Sequence, residues 1–175
     1  FIVFADVIEH IDNPINVLKN FFEKIDYEKT KVIISTPNVA FGAVRLSLMQ
    51  GSFNYVDSGI LEKTHLRFYT LESLKLLMSN LNLNIEKLYY LNRNFNNTET
   101  NLNDLKLNPL LIYFVSKDRM SHVYQFLLVL SKKNILTEER IFGNKSNFPI
   151  LEYIFKPIVV KNQKVKGFMK KFYKL

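Results

Sequence analysis

The sequence contains no cysteine, no tryptophan and only five glycines among its 175 residues. Without cysteine the chain can form neither a disulfide framework nor a thiolate metal site, which fits a protein of the reducing cytoplasm. No apolar run reaches the roughly 18 residues that a membrane-spanning helix requires, and the first residues have no signal-peptide pattern. The glycines are so widely spaced that the chain contains no G-x-G loop.

What the sequence does contain is typical of a globular protein about one domain in length. Hydrophobic residues make up 47% of the chain, and fifteen Phe with nine Tyr supply ample apolar surface to bury. The first residue is Phe1, which is not a methionine and lies inside an apolar run. We therefore expect the chain to begin in the middle of a longer protein.

The positive charge of the chain is concentrated at its C-terminal end. The net charge is +8, from 24 Lys and Arg against 16 Asp and Glu. Residues 141–175 contain eight of the Lys and one acid, Glu152, so residues 1–140 are close to neutral. Any attraction to an anionic membrane is therefore expected from residues 141–175 alone, and nucleic acid is not expected as a partner because these residues lack an interleaved base-stacking pattern.

The first 40 residues have the pattern of a strand, a helix and a second strand. Residues 1–5 (FIVFA) and 31–35 (KVIIS) are apolar runs of the kind found in buried parallel strands. Between them, Asn13 followed by Pro14 is typical of a helix start. The apolar stripe of this helix consists of Leu18, Phe21, Phe22 and Ile25. The pattern predicts a βαβ unit, which builds parallel sheets.

Four predicted strands with intervening helices indicate an α/β domain over residues 1–131. The remaining predicted elements are a helix at 41–50, a long loop at 52–69, a helix that begins after Thr70 and has the stripe Leu74, Leu77, Met78 and Leu81, a strand at 84–91, a loop at 92–108, a short helix at 108–115 and a strand at 122–131. The length of the 52–69 loop is itself typical of a functional segment.

Residues 132–175 are predicted to be a basic, partly helical C-terminal extension. An apolar stripe of Val165, Phe168, Met169 and Phe172 lies opposite Lys164, Lys170, Lys171 and Lys174. Such a segment either packs on the domain with its lysines in water or lies on an anionic membrane surface. The pattern leaves both interpretations open.

Polar residues follow the first predicted strand. Asp6, Glu9 and His10 have the i, i+3, i+4 spacing that places side chains on one helical face. Two carboxylates and an imidazole can bind a divalent metal ion or act as acid and base. The alternative is that Asp6 caps a helix and His10 bonds to backbone.

A second polar group lies in the long loop, at 63–70 (KTHLRFYT). His65 has the right side chain for a general base near neutral pH, and Arg67 for holding a carboxylate or phosphate. The alternative is that both residues brace the loop by hydrogen bonds to its own backbone.

Four segments together resemble the class I S-adenosylmethionine (SAM)-dependent methyltransferases, in the branch associated with bacterial and archaeal polysaccharide gene clusters. In chain order the segments are 4–11 (FADVIEHI), 34–39 (ISTPNV), 51–55 with 59–61 (GSFNY and GIL), and 64–70 (THLRFYT). The resemblance covers about residues 1–131. It implies a Rossmann-like, mostly parallel sheet with an antiparallel last strand, of which this chain forms the C-terminal half.

The resemblance also implies SAM as the cofactor and assigns roles to individual residues. Ala5, Asp6 and Val7 would line the methionine end of the cofactor, and Asp6, Glu9 and His10 match a divalent-metal element of related quinone-biosynthesis methyltransferases, with Asp6 in place of a glutamate. His65 would be the base that deprotonates a hydroxyl, with Arg67 beside it in the loop over the acceptor.

The function implied is methylation of an oxygen on a sugar or lipid-linked glycan, by a longer protein of which this chain is a part. The family's Gly-rich cofactor loop is missing from this sequence, so we expect the 175-residue chain alone to be inactive. The alternative is a non-catalytic, methyltransferase-like module that binds a protein partner or an anionic membrane surface. In either case the expected location is the cytoplasm, with contact to the inner membrane face through the basic extension.

Overall fold

A computed structural model describes residues 1–95, 98–100, 102, 107–131 and 137–142, and at 137–142 the side chain of Glu138 alone. Five strands form one sheet in the order β1-β2-β4-β3-β5. The strands are β1 Ile2–Ala5, β2 Val32–Pro37, β3 Asn84–Asn92, β4 Val123–Ser131 and β5 Thr137–Phe142. The helices are α1 Pro14–Phe22, α2 Gly42–Met49, α3 Leu71–Asn80 and α4 Pro109–Lys117, with short 3-10 turns at Ile8–His10 and Arg119–His122.

Strand β1 lies at one edge of the sheet. It pairs in parallel with β2, from Ile2 opposite Val32 to Ala5 opposite Ser35, as the βαβ pattern predicts. No other described strand pairs with its free edge. The side chain of Val3 is 42% exposed, so one face of β1 is partly open in the part of the chain that the structure describes.

Strand β4 is inserted between β2 and β3 and runs antiparallel to both. This confirms the predicted antiparallel strand at 122–131, although His122 itself ends the preceding 3-10 turn. All nine residues of β4 are buried, and neighbouring strands pair with both its edges.

The sheet continues beyond residue 131, where the sequence analysis ended the domain. Residues of β5 pair in parallel with β3, from Lys87 opposite Thr137 to Asn92 opposite Phe142. The four-strand prediction is therefore wrong by one strand. The sequence of β5, TEERIF, contains three charged residues, and strands of this kind are typical of sheet edges, where charge discourages pairing with further strands.

Helices α1 and α3 pack on one face of the sheet with the main apolar core. In α1 the Asn13 side chain accepts a hydrogen bond from the Asn16 N–H, as expected of an N-cap. Leu18 and Phe22 are buried, but Phe21 is 43% exposed, so the predicted four-residue stripe is too wide.

Helix α3 begins as predicted after Thr70. The Thr70 hydroxyl accepts from the Ser73 N–H, and the Ser73 hydroxyl accepts from the Thr70 N–H, which makes a capping box. The apolar stripe of α3 and the residue after it is buried as predicted, at Leu74, Leu77, Met78 and Leu81.

Helices α2 and α4 belong to a second apolar cluster, which includes Phe41, Val44, Val115 and Tyr124. The layered arrangement leaves the carboxyl ends of β1 and β2 and the amino end of β4 at one edge of the sheet. Ligands of open parallel sheets bind at such an edge.

Among the described residues, no helix is long and apolar enough to span a membrane. The apolar and basic stripes predicted at 164–174 lie outside the described residues.

Candidate functional site

The turn after β1 places Asp6 at the sheet edge. Its φ of 52° lies in the left-handed region, which aspartate tolerates better than most residues. The Asp6 N–H donates to the carbonyl oxygen and the hydroxyl of Ser35, each at 3.2 Å. The sequence spacing predicts that Asp6, Glu9 and His10 share one helical face. Asp6 does not share it, because Asp6 has a left-handed backbone conformation and lies before the 3-10 turn that contains Glu9 and His10.

The Asp6 carboxylate joins three strands. Its Oδ1 accepts from Ser35 Oγ at 3.0 Å and from Gln125 Nε2 at 2.6 Å. Burial raises the pKa of Asp6, and these two hydrogen bonds oppose the shift. The sequence did not predict Gln125 as a site residue, because its only distinguishing feature is that it is a lone amide in an apolar strand. Gln125 reaches Asp6 because β4 inserts beside β2.

Glu9 is the most buried acid of the site, with 1% of its surface exposed. Its Oε2 accepts from Thr36 Oγ1 at 3.1 Å, whereas its Oε1 is buried with no hydrogen-bond partner among the described residues. Burial, and then the nearby charge of Asp6, raise the pKa of Glu9 to about 8. With no metal bound, Glu9 therefore carries a proton at neutral pH.

The long loop docks onto this turn through its backbone. The N–H groups of Leu66 and Arg67 both donate to the Glu9 carbonyl oxygen at 2.9 Å. This contact brings His65, 7% exposed, next to the buried carboxyl. His65 Nδ1 lies 3.0 Å from the Ile60 carbonyl oxygen. Because a carbonyl can only accept, Nδ1 carries the hydrogen and Nε2 keeps its lone pair.

The ring of His10, like that of His65, is held by a hydrogen bond from Nδ1 to a backbone carbonyl oxygen of the long loop. Its Nδ1 donates to the carbonyl oxygen of Thr64 at 3.1 Å and lies 3.2 Å from the Thr64 hydroxyl. The imidazole rings of His10 and His65 meet edge to face, with centroids 4.8 Å apart. Glu9, His10 and His65 each offer a ligand atom within 4.8 Å of the others. The sequence spacing predicted Asp6 in this group and did not predict His65.

Arg67 points toward the segment before α1. Its Nε donates to the Asp12 carbonyl oxygen at 2.8 Å, and its Nη2 donates to the same oxygen and to Asp12 Oδ1 at 3.1 Å. The guanidinium thus ties the loop to the chain beyond the 3-10 turn. This is closer to the bracing interpretation, although the bonds go to Asp12 and not to the loop's own backbone.

The turn after β2 is held in place by Asn38. Its Nδ2 donates to the carbonyl oxygens of Met120 and Val123 at 3.0 and 2.7 Å, and its Oδ1 accepts from the Ala40 N–H. Asn38 therefore holds β2 against the start of β4. An open groove of about 520 Å³ lies beyond it, lined by Asn38, Ala40, Arg45, Thr70, Leu71, Glu72, Lys75 and Met120. None of the residues that form the polar cluster lines this groove, where the polar cluster means Asp6, Glu9, His10, His65 and Gln125.

A family model described as a methyltransferase domain matches residues 1–88, just over half of the 175-residue chain. The chain belongs to this methyltransferase domain family. The match includes β1, β2 and every residue of the polar cluster except Gln125. The predicted family is thereby confirmed at the level of a methyltransferase domain.

A solved structure of a SAM-dependent methyltransferase from Archaeoglobus fulgidus is similar to the chain, with a TM-score of 0.44 and 16% sequence identity. The similarity covers 75% of this chain and 57% of that one. The methyltransferase domain described here thus spans a little over half the length of that protein. No curated protein matches the sequence.

Proposed function

We propose that the chain is the C-terminal part of a SAM-dependent methyltransferase that methylates a hydroxyl oxygen on a sugar or lipid-linked glycan in the cytoplasm. Membership of the methyltransferase domain family supports the reaction class. The observation that carries the proposal is the position of His65, whose ring lies in one cluster with Glu9 and His10 and whose Nε2 keeps its lone pair. A base at that place suits an acceptor that must lose a proton, as a hydroxyl does.

The residues at the end of β1 fit the methionine end of SAM. Asp6 would supply a carboxylate that suits the positively charged end of SAM, Ala5 is small, and Val7 is 38% exposed. SAM supplies the activated methyl group when bound. Asp6 is prepared for this role because Ser35 and Gln125 hold its Oδ1 in place.

In this proposal His65 is the general base. Its Nε2 would take the proton of the acceptor hydroxyl, and bound SAM would supply the methyl group that the oxygen receives. The Ile60 carbonyl stabilises the ring as it becomes positive, because it accepts a hydrogen bond from Nδ1 in both states. Arg67 is a positioning residue, since its bonds to Asp12 hold the loop that carries His65.

The test is methyl transfer by the native protein that contains this chain. The protein is incubated with SAM labelled with tritium in the methyl group, together with lipid-linked and free sugars. We expect label in an alkali-stable ether on the sugar. Label in an ester or on nitrogen would contradict the oxygen acceptor, and no transfer to any acceptor class would contradict the methyltransferase proposal.

An exposed apolar helix favours a second candidate function, attachment to an anionic membrane surface. Helix α4 is apolar nearly all round, and helices of that kind are normally covered. Its inner side uses Leu111 and Val115, whereas Leu110, Tyr113 and Phe114 are 63%, 53% and 67% exposed. Lys117 lies 4.8 Å from the Tyr113 ring centroid, so a positive charge borders the patch. Aromatic, aliphatic and basic side chains together suit a lipid interface.

This function is tested by co-sedimentation with phosphatidylcholine vesicles, with and without phosphatidylserine. We expect binding to the anionic vesicles and a several-fold loss with Leu110→Ser. Leu76→Ser on α3 is the matched control, because Leu76 is also 63% exposed. Equal losses with both variants, or no binding at all, would count against membrane attachment through α4.

A further inference from the structure

We propose that Glu9, His10 and His65 form a binding site for a divalent transition-metal ion of the Zn²⁺ type. One ligand atom from each of the three residues lies within 4.8 Å of those of the other two. The residues come from the 3-10 turn after β1 and from the long loop before α3, so the fold assembles the site from two segments that are distant in sequence.

The hydrogen bonds of the two histidines prepare both rings for a metal. Each ring uses Nδ1 to donate to a backbone carbonyl, His10 to that of Thr64 and His65 to that of Ile60. Both rings therefore keep the lone pair on Nε2. Metal-binding histidines are typically oriented in this way, because the second hydrogen bond fixes the tautomer and raises the basicity of the ligand nitrogen.

Glu9 supplies an independent observation. The residue is 1% exposed, its Oε2 is engaged by Thr36, and its Oε1 is buried without a hydrogen-bond partner in the described ranges. A buried oxygen without a partner destabilises the folded state. A cation bound by Glu9 and the two imidazoles would offer this carboxyl group a partner.

The site differs from the Asp6, Glu9 and His10 set that the sequence spacing indicates. Asp6 is not among the residues whose ligand atoms meet within 4.8 Å, and its Oδ1 accepts hydrogen bonds from Ser35 and Gln125. His65 takes its place. Asp6 still contributes a negative charge near the site, which favours a cation without binding it directly.

Two imidazoles and one carboxylate favour Zn²⁺ and similar ions over Mg²⁺ and Ca²⁺, which prefer oxygen ligands. Three protein ligands also leave a coordination position open to water or to a hydroxyl group. The ion and a proton compete for the same lone pair of His65, so the metal-bound protein cannot use His65 as a base. The ion would then lower the pKa of a hydroxyl that it contacts.

The test uses the metal alone, with no SAM and no acceptor. The 175-residue chain is stripped with a chelator, and Zn²⁺ and Mg²⁺ are titrated by calorimetry, with Co²⁺ absorption as a spectroscopic check. We expect one Zn²⁺ per chain and much weaker Mg²⁺ binding. His10→Asn and His65→Asn should each lower Zn²⁺ affinity at least about 10-fold.

His122→Asn is the matched control, because His122 is exposed and donates to the Ser116 carbonyl oxygen away from the site. Thermal melts without metal show whether each variant is folded, and for folded proteins a rise in melting temperature with Zn²⁺ is a second measure of binding.

Loss of Zn²⁺ binding with Asp6→Asn but not with His65→Asn would overturn the site in favour of the Asp6 set. No stoichiometric binding to the wild-type chain would overturn it altogether. Because SAM is absent from these titrations, either failure leaves the methyl-transfer proposal standing.

Discussion

His10 and His65 lie edge to face with their ring centroids 4.8 Å apart, although one follows β1 and the other precedes α3. The contact depends on the Glu9 carbonyl oxygen, which accepts hydrogen bonds from the N–H groups of Leu66 and Arg67. Backbone bonds and the Arg67 side chain therefore hold the long loop, and Nε2 of His65 keeps its lone pair for chemistry. This arrangement makes His65 the residue whose substitution is most informative.

Replacing His65 by alanine in the native enzyme should lower turnover about 100- to 10,000-fold, the usual contribution of a general base. The affinity for SAM should change little, because the proposed cofactor contacts lie at Ala5, Asp6 and Val7. The measurement is turnover and SAM binding in the presence of a chelator, so that metal binding does not enter the comparison. His122→Ala serves as the control for loss of a histidine. Full turnover by a folded His65→Ala protein would leave His65 as a loop brace.

The stability of the metal-free chain should fall as pH rises through the neutral range because of Glu9. Its pKa is raised from 4.5 to about 8 in the folded protein. Between these values the unfolded chain has released a proton that the folded chain retains, so higher pH favours unfolding. The contribution of Glu9 to the stability of the folded chain is fully present below pH 4.5. It is lost as the pH rises past about 8.

Glu9→Gln keeps the neutral shape of the side chain and has no proton to lose. Its melting temperature relative to that of the wild-type chain should therefore be higher near pH 8 than near pH 5. Thermal unfolding with a chelator at the two pH values is the measurement. Melting curves that shift in parallel for both proteins would show that Glu9 does not titrate as described.

The neighbouring residues Phe21 and Phe22 should differ sharply in their contribution to stability. Phe22 is 1% exposed in the main core, whereas Phe21 is 43% exposed. Phe22→Ala should lower the free energy of unfolding by about 3–5 kcal/mol, the usual cost of a cavity left by a buried aromatic ring. Phe21→Ala should cost much less, although it removes an edge-to-face contact with Phe4. Urea unfolding of both variants decides this, and equal losses would contradict the placement of α1.

The 175-residue chain should bind SAM weakly. It contains no G-x-G loop, and such loops provide backbone N–H groups and close approach to a cofactor that other residues prevent. Calorimetry of the isolated chain with SAM is the measurement. A micromolar dissociation constant would show that the β1 edge binds the cofactor without a glycine loop.

Most of the secondary structure could be predicted because its signals are local. The apolar runs of β1 and β2, the Asn13 and Thr70 caps, and the buried stripe of α3 all depend on residues within one or two turns of each other. Strand β5 was missed because its charged sequence has no apolar run, and only pairing with β3 makes it a strand. Phe21 was assigned to the core because the period of a helix does not show how wide the buried part of an apolar stripe is.

The sequence by itself determined strands β1 to β4, the helix starts of α1 and α3, the family resemblance and the residue types at the sheet edge, since these follow from short-range patterns and motifs. The tertiary structure decided which of those residues meet. Asp6 turns away into a left-handed conformation to bond Ser35 and Gln125, and His65 enters beside Glu9 through hydrogen bonds from a distant loop. Hydrogen bonds between segments far apart in the chain have no spacing rule. Only the packed fold could therefore assemble Glu9, His10 and His65.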